Sequence, residues 1–119
     1  MHKIAENGII TLNAGDAFFA PLYLNCGTNL EYKRYVLTDK DTIYFSIMKP
    51  HQSFEHGIIR KIYTAENLDK NGDVVISLNS TDTEDLKPGT YYYEIKFLTI
   101  RKNVEYVDTV VPRKKLYIL

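Results

Sequence analysis

In the segment Thr90-Tyr91-Tyr92-Tyr93-Glu94-Ile95-Lys96-Phe97, an extended chain places Tyr91, Tyr93, Ile95 and Phe97 on one side and Tyr92, Glu94 and Lys96 on the other. Alternation of this kind suits a half-buried strand, and nowhere in the 119 residues does a 3.6-residue period persist beyond one turn. The chain must therefore be built from strands. Shorter runs repeat the pattern. Gly8 to Asn13 is β-branched and runs into the turn cluster Asn13-Ala14-Gly15-Asp16, and Ala17 to Leu24 follows with Pro21 removing a ladder donor. From Thr42, Ile43, Phe45 and Ile47 alternate with Tyr44, Ser46 and Met48 until Pro50, and His56 to Thr64 reads as a further strand. Asp69 to Asp73 carries an Asn-Gly pair suited to a tight hairpin, after which Val74, Ile76 and Leu78 alternate inward. Asn25 to Asp41 holds turn residues (Asn25, Gly27, Asn29) and a tyrosine pair (Tyr32, Tyr35), and reads as either a short strand or a loop.

Ser80 to Leu86 looks like one helical turn with Ser80 or Thr81 as its cap, ended by Lys87-Pro88-Gly89. A turn near Arg101-Lys102-Asn103 leads into Val104 to Val111 and Lys115 to Leu119, one last strand broken or bent at Pro112. Seven to eight short strands at this spacing predict an all-β, antiparallel, immunoglobulin-like β-sandwich forming a single domain over 1–119, with the helical turn near 80–86. Gly89 and Tyr91 stand where such sandwiches place a tyrosine corner. The Tyr91 hydroxyl is then expected to bond back to the backbone near Thr83 to Leu86.

Composition narrows the chemistry. Fifteen basic and fifteen acidic residues give no net charge, which removes the long-range attraction of a nucleic-acid binder. No stretch approaches the roughly 18 apolar residues of a membrane span, and the opening MHKIAENGII lacks the apolar run and cleavage site of a secretion signal. The expected place of synthesis is the cytoplasm. His2, His51 and His56 carry no metal-ligand spacing, and Asp69-Lys70-Asn71-Gly72-Asp73 departs from a calcium loop, with glycine at the fourth position and Ser80 at the twelfth. Cys26 has no predicted cationic neighbour to activate it, and Asn79-Ser80-Thr81 is a glycosylation sequon without a secretion signal. No catalytic residue, metal or cofactor is expected, and the chain does not read as an enzyme.

The unusual feature is ten tyrosines, five phenylalanines and no tryptophan. Tyrosine offers rigid contact area with a polar tip, which suits binding surfaces. If the strands of Tyr44 and Tyr92 are neighbours, Tyr44, Tyr92, Glu94 and Lys96 share an outward face, a first candidate interface. Leu116-Tyr117-Ile118-Leu119 is the second. It is apolar on both faces, and is either buried in the sandwich or open to strand addition by a neighbour.

Three segments resemble a known group. Gly15-Asp16-Ala17-Phe18-Phe19-Ala20-Pro21-Leu22 is similar to the "GD-x-F-x-x-P-L" opening of small phage and prophage virion domains, including the N-terminal module of baseplate upper proteins. Leu37-Thr38 followed by Ile43-Tyr44-Phe45-Ser46-Ile47 resembles their "DLTG…V-x-F-x-V". Ile76 to Ile95 resembles "I-x-L-x-x-x-DT-x-x-L-x-PGTYYY-[DE]-I". The chain departs from the pattern at Val36 and Asp39, and its last hairpin lacks the Asp-Gly turn. The resemblance implies a structural component of a tail or baseplate, found in the particle after synthesis in the host cytoplasm. Its partners would be other virion proteins, and a homo-oligomer, trimer or hexamer, would suit a symmetric particle. The rival expectation is a glycan- or receptor-binding module.

Overall fold

The structure, a computed structural model, describes residues 3–4, 8–26 and 33–119. His2, Gly27, Asn29 and Tyr32 lie outside the described residues. Among the described residues there are ten strands, β1 (Lys3–Ile4), β2 (Ile10–Leu12), β3 (Phe18–Leu22), β4 (Asn25–Cys26), β5 (Lys33–Arg34), β6 (Asp41–Met48), β7 (Ile59–Tyr63), β8 (Val74–Leu78), β9 (Gly89–Arg101) and β10 (Val104–Ile118). Three of them are only two residues long. The helical turn α1 spans Ser80–Thr83, and 3₁₀ turns form at Phe54–His56 and Ala65–Asn67.

Six strands make one sheet in the order β1-β2-β10-β9-β6-β7, while β3 pairs with β8 and β4 with β5. The expectation of a purely antiparallel fold is corrected at one place. β2 runs parallel to β10, with Ile10, Thr11 and Leu12 opposite Leu116, Tyr117 and Ile118. The fold is all-β, with one mixed sheet and a small second sheet. Alternation sets the faces as expected: Ile43, Phe45, Ile47, Tyr91, Tyr93, Ile95, Leu116 and Ile118 join Phe18, Val74, Ile76 and Leu78 in one buried cluster. Each large apolar side chain so buried contributes about 1.5–3 kcal/mol.

Several local devices differ from the expectation. The Asp69–Asp73 turn forms, with Gly72 at φ +81° and an isolated Leu68–Val74 bridge. The turn closes a hairpin of a single bridge, with the Asp69 N–H donating to the Asp73 carbonyl at 2.9 Å, but β7 and β8 lie in different sheets and do not pair with each other. The helical turn is capped by Asn79, whose N–H donates to the Asp82 carboxylate at 2.8 Å, rather than by Ser80 or Thr81. Buried Thr83 reaches back instead. Its hydroxyl accepts from Gly15 N–H (3.1 Å) and donates to the Asp16 carbonyl (2.7 Å), pinning the β2–β3 turn. The Tyr91 hydroxyl donates to the Lys87 carbonyl at 2.8 Å, just beyond the expected stretch. β10 continues through Pro112 but shifts register between Thr109 and Val111 and again between Val111 and Lys114, the signature of bulges. Lys102 and Asn103, at φ 51° and 63°, close the β9–β10 hairpin in the left-handed conformation that a two-residue turn demands.

Candidate functional site

The outer face of the large sheet, away from the core, is where the first candidate interface falls. β6 and β9 are neighbours, with Tyr44 opposite Lys96, Ser46 opposite Glu94 and Met48 opposite Tyr92. Half of this face is closed. The connection after β6 folds back over it, and the Ser46 hydroxyl donates to the Phe54 carbonyl at 2.8 Å. Gly57 permits this approach, because a β-carbon there would come within 2.1 Å of Ser46 Oγ and 2.6 Å of the Ile47 carbonyl oxygen. Ser46, Met48 and Phe54 are buried as a result.

Arg113 locks the same connection from β10. Its guanidinium donates to the carbonyls of Gln52 (3.1 Å), Lys49 (3.3 Å) and Pro50 (3.2 Å) while stacking 4.6 Å from the Tyr92 ring centroid. The Lys96 ammonium sits 4.6 Å from the Phe54 ring centroid and 3.8 Å from the Glu94 carboxylate. Tyr92, Glu94 and Lys96 therefore serve first as the floor of this cover, and only Tyr44 faces the part that stays open. Nothing in the sequence singles out Arg113, which is followed directly by Lys114 and Lys115.

The open half carries apolar side chains on four strands, with Thr42, Lys96 and Glu105 among them. Ile62 of β7 lies opposite Tyr44, and Leu98 of β9 lies opposite Thr42 on one side and Val107 of β10 on the other. Ile100 continues the row. Ile62 is 60% exposed, Val107 56% and Ile100 39%.

Of the two readings of the second candidate, the structure shows burial in the core rather than an edge open to strand addition. Leu116 and Ile118 are fully paired, with β9 on one side and β2 on the other, and both side chains are buried in the core. A strand with both edges occupied cannot accept another. Tyr117 is half-buried, and Leu119 is exposed but donates its N–H to the Leu12 carbonyl at 2.9 Å. Among the described strands, the unpaired edge of β10 is its earlier part, before Leu116.

The inner face carries a different site at its far end, where Tyr23 and Leu24 leave β3. An open cleft of about 370 Å³ is lined there by Tyr23, Leu24, Tyr35, Phe97, Arg101, Asp108 and Val110. Tyr35 meets Phe97 edge-on, with ring centroids 5.7 Å apart and an interplanar angle of 88°. The Tyr35 hydroxyl donates to Asp41 Oδ2, which also accepts from the Thr38 N–H (2.8 Å) and hydroxyl (3.1 Å). Burial, and then the Asp41 carboxylate, push the Tyr35 phenol up to about 12. Burial also pushes the Asp41 carboxyl upward, but the Thr38 backbone, the Thr99 hydroxyl, Tyr35 and the Thr38 hydroxyl together outweigh this and hold it below the ordinary aspartate value. Among the described residues the buried Asp41 Oδ1 atom has no hydrogen-bond partner.

Cys26 stands in β4 opposite Lys33. His51 and His56 are exposed, the latter 2.8 Å from Ser53 Oγ. Among the described residues no cluster of three or more His, Cys, Asp or Glu could hold a metal ion, and no helix is long and apolar enough to cross a membrane. Comparison of the chain with family profiles, with curated proteins and with solved structures gives no match.

Proposed function

We propose that this chain is a non-enzymatic assembly component that works through protein–protein contacts made by the open half of its outer sheet face. The observation that carries the reading is the group Ile62, Tyr44, Leu98, Val107 and Ile100, a band of apolar side chains spread over four adjacent strands and interspersed with Thr42, Lys96 and Glu105, with Ile62 and Val107 more than half exposed. Bands of this kind mark interaction surfaces, and aromatic and aliphatic residues form the dry centre of such contacts. The rigid backing supplied by the in-register β6–β9 pair keeps the entropic cost of docking low.

The resemblance of residues 8–98 to small virion domains supports a phage or prophage-derived particle as the setting and an immunoglobulin-like sandwich as the fold. Two sheets around one core, and a β9 tyrosine bonded four residues back, support the same fold assignment. The first partner is a second copy of this chain, in a trimer or hexamer, with other virion proteins beyond it.

Light scattering over a concentration series tests this. The wild type is expected to form a defined trimer or hexamer, and Ile62→Ser with Val107→Ser to dissociate it while the circular dichroism spectrum is unchanged. A double variant that assembles like the wild type would sink the reading.

A further inference from the structure

We propose that the cleft between Tyr23, Tyr35 and Phe97 binds a neutral sugar of one or two rings. This site lies on the opposite face of the large sheet from the apolar band and does not depend on it. Its volume, about 370 Å³, is near the lower end of the range of roughly 300–1,000 Å³ typical of small-ligand sites.

Two features define the ligand. The first is ring surface. Tyr23 is 66% exposed and lines a cleft to which Tyr35 and Phe97 add mutually perpendicular rings. Tyr35 is fixed in place by its bond to Asp41, so its ring is pre-organised rather than mobile. Aliphatic C–H faces of a pyranose match such walls.

The second feature is the polar pair. Arg101 and Asp108 line the same cleft, and neither side chain makes a hydrogen bond or ion pair among the described residues. A guanidinium can only donate and an ionised carboxylate can only accept. An anionic ligand would meet Asp108, and a cationic one would meet Arg101, with like charge. Hydroxyl groups both donate and accept, so a neutral polyol satisfies the two groups together and leaves no charge opposed. Apolar faces joined to hydroxyls on one small rigid ring describe a sugar.

The test is a titration followed by ¹H–¹⁵N correlation spectra of the whole chain. The probes are glucose, galactose, N-acetylglucosamine, lactose and cellobiose, with glucosamine, glucuronate and phenylalanine as cationic, anionic and zwitterionic comparators. The expected result is saturable shifts of the amides of Tyr23, Leu24, Phe97, Arg101 and Asp108 with at least one neutral sugar. Tyr23→Ala and Arg101→Ala should each weaken that binding at least tenfold, and Ile62→Ser should leave it unchanged. Both cleft substitutions are at exposed positions, so the spectra also report whether each variant is folded. Failure of every neutral sugar to saturate these amides, stronger binding of a charged or zwitterionic comparator, or full affinity in Tyr23→Ala overturns the proposal.

Discussion

Tyr63 and Ser77 tie the two sheets together: the Tyr63 hydroxyl accepts from the Ser77 N–H at 3.0 Å and donates to the Ser77 carbonyl at 3.3 Å. Tyr63 belongs to β7, at the edge of the large sheet, and Ser77 to β8, in the small one. One phenol thus satisfies a donor and an acceptor on the side of β8 away from β3. Tyr63→Phe keeps the ring and removes both bonds, and is expected to cost about 1–3 kcal/mol because two partly buried backbone groups lose their partner. Urea denaturation should show a lower midpoint at constant slope. A midpoint equal to that of the wild type would mean that the bonds contribute nothing net.

Gly57 is the point at which the outer cover touches the sheet. A methyl group there collides with the Ser46 hydroxyl and with the Ile47 backbone. Gly57→Ala should destabilise by about 1–3 kcal/mol, as overpacking does, and lift Phe54 from the sheet. Adding Ser46→Ala should recover only part of the loss, since the Ile47 carbonyl oxygen stays within 2.6 Å of the added carbon. Hydrogen exchange over 49–57 is the direct reading.

Burial of the final strand decides what serine substitution does there. Leu116 and Ile118 are packed among Ile10, Leu12, Tyr91 and Phe45 in the core cluster. Leu116→Ser leaves a cavity and buries a hydroxyl, with an expected loss of about 3–5 kcal/mol, and the double variant with Ile118→Ser should not fold. A folded but dissociated double variant would restore the surface role that the sequence suggested.

Stability should fall at both ends of the pH scale. Asp41 and Asp82 have carboxyl groups held below 3.8, in each case against burial, by the Thr38 backbone first for Asp41 and by the Asn79 backbone and then Lys61 for Asp82. A carboxyl whose pKa is lower folded than unfolded favours the folded state above its unfolded value. This contribution is complete above about pH 4 and is lost as pH falls through the folded value. Tyr35 has the opposite sign. Its contribution is complete below 10.0 and disappears as pH rises towards about 12. Asp41→Asn should flatten the acid side of a plot of urea midpoint against pH, and Tyr35→Phe the alkaline side. Unchanged slopes in the two variants would remove these groups from the account.

Much of the fold is legible in single segments, because a strand with one buried face writes that face into every second residue. Ile43, Phe45 and Ile47, then Val74, Ile76 and Leu78, then Tyr91, Tyr93 and Ile95 lie where alternation puts them. Alternation misleads at Ser46 and Met48. They read as outward, and are buried because the Phe54 segment returns over them. That return depends on Gly57 and Arg113, which are distant from each other in the chain and carry no periodic signal. The parallel pairing of β2 with β10 was hidden for the same reason, since nothing local to Ile10 or Leu116 names its partner. The sugar cleft is the extreme case. Tyr23, Tyr35, Phe97 and Asp108 come from separate segments, and the segment holding Tyr35 gave no clear pattern. Only the surplus of tyrosine hinted at it.

The partnership of β2 and β10 also sets a clock. Ile10 reaches its neighbour only when Leu116 exists, and at about 5–20 residues per second the ribosome needs roughly 5–20 s to travel between them. Contacts so far apart in sequence are slow to form even in a complete chain. Throughout that interval Ile10–Leu12 has β1 on one edge but nothing on the other, and that open edge can be claimed by the β10 segment of a chain finished earlier on the same message. In the cell, the yield of correctly closed molecules therefore depends on how far apart translating ribosomes are spaced and on what shields residues 10–12 in the meantime.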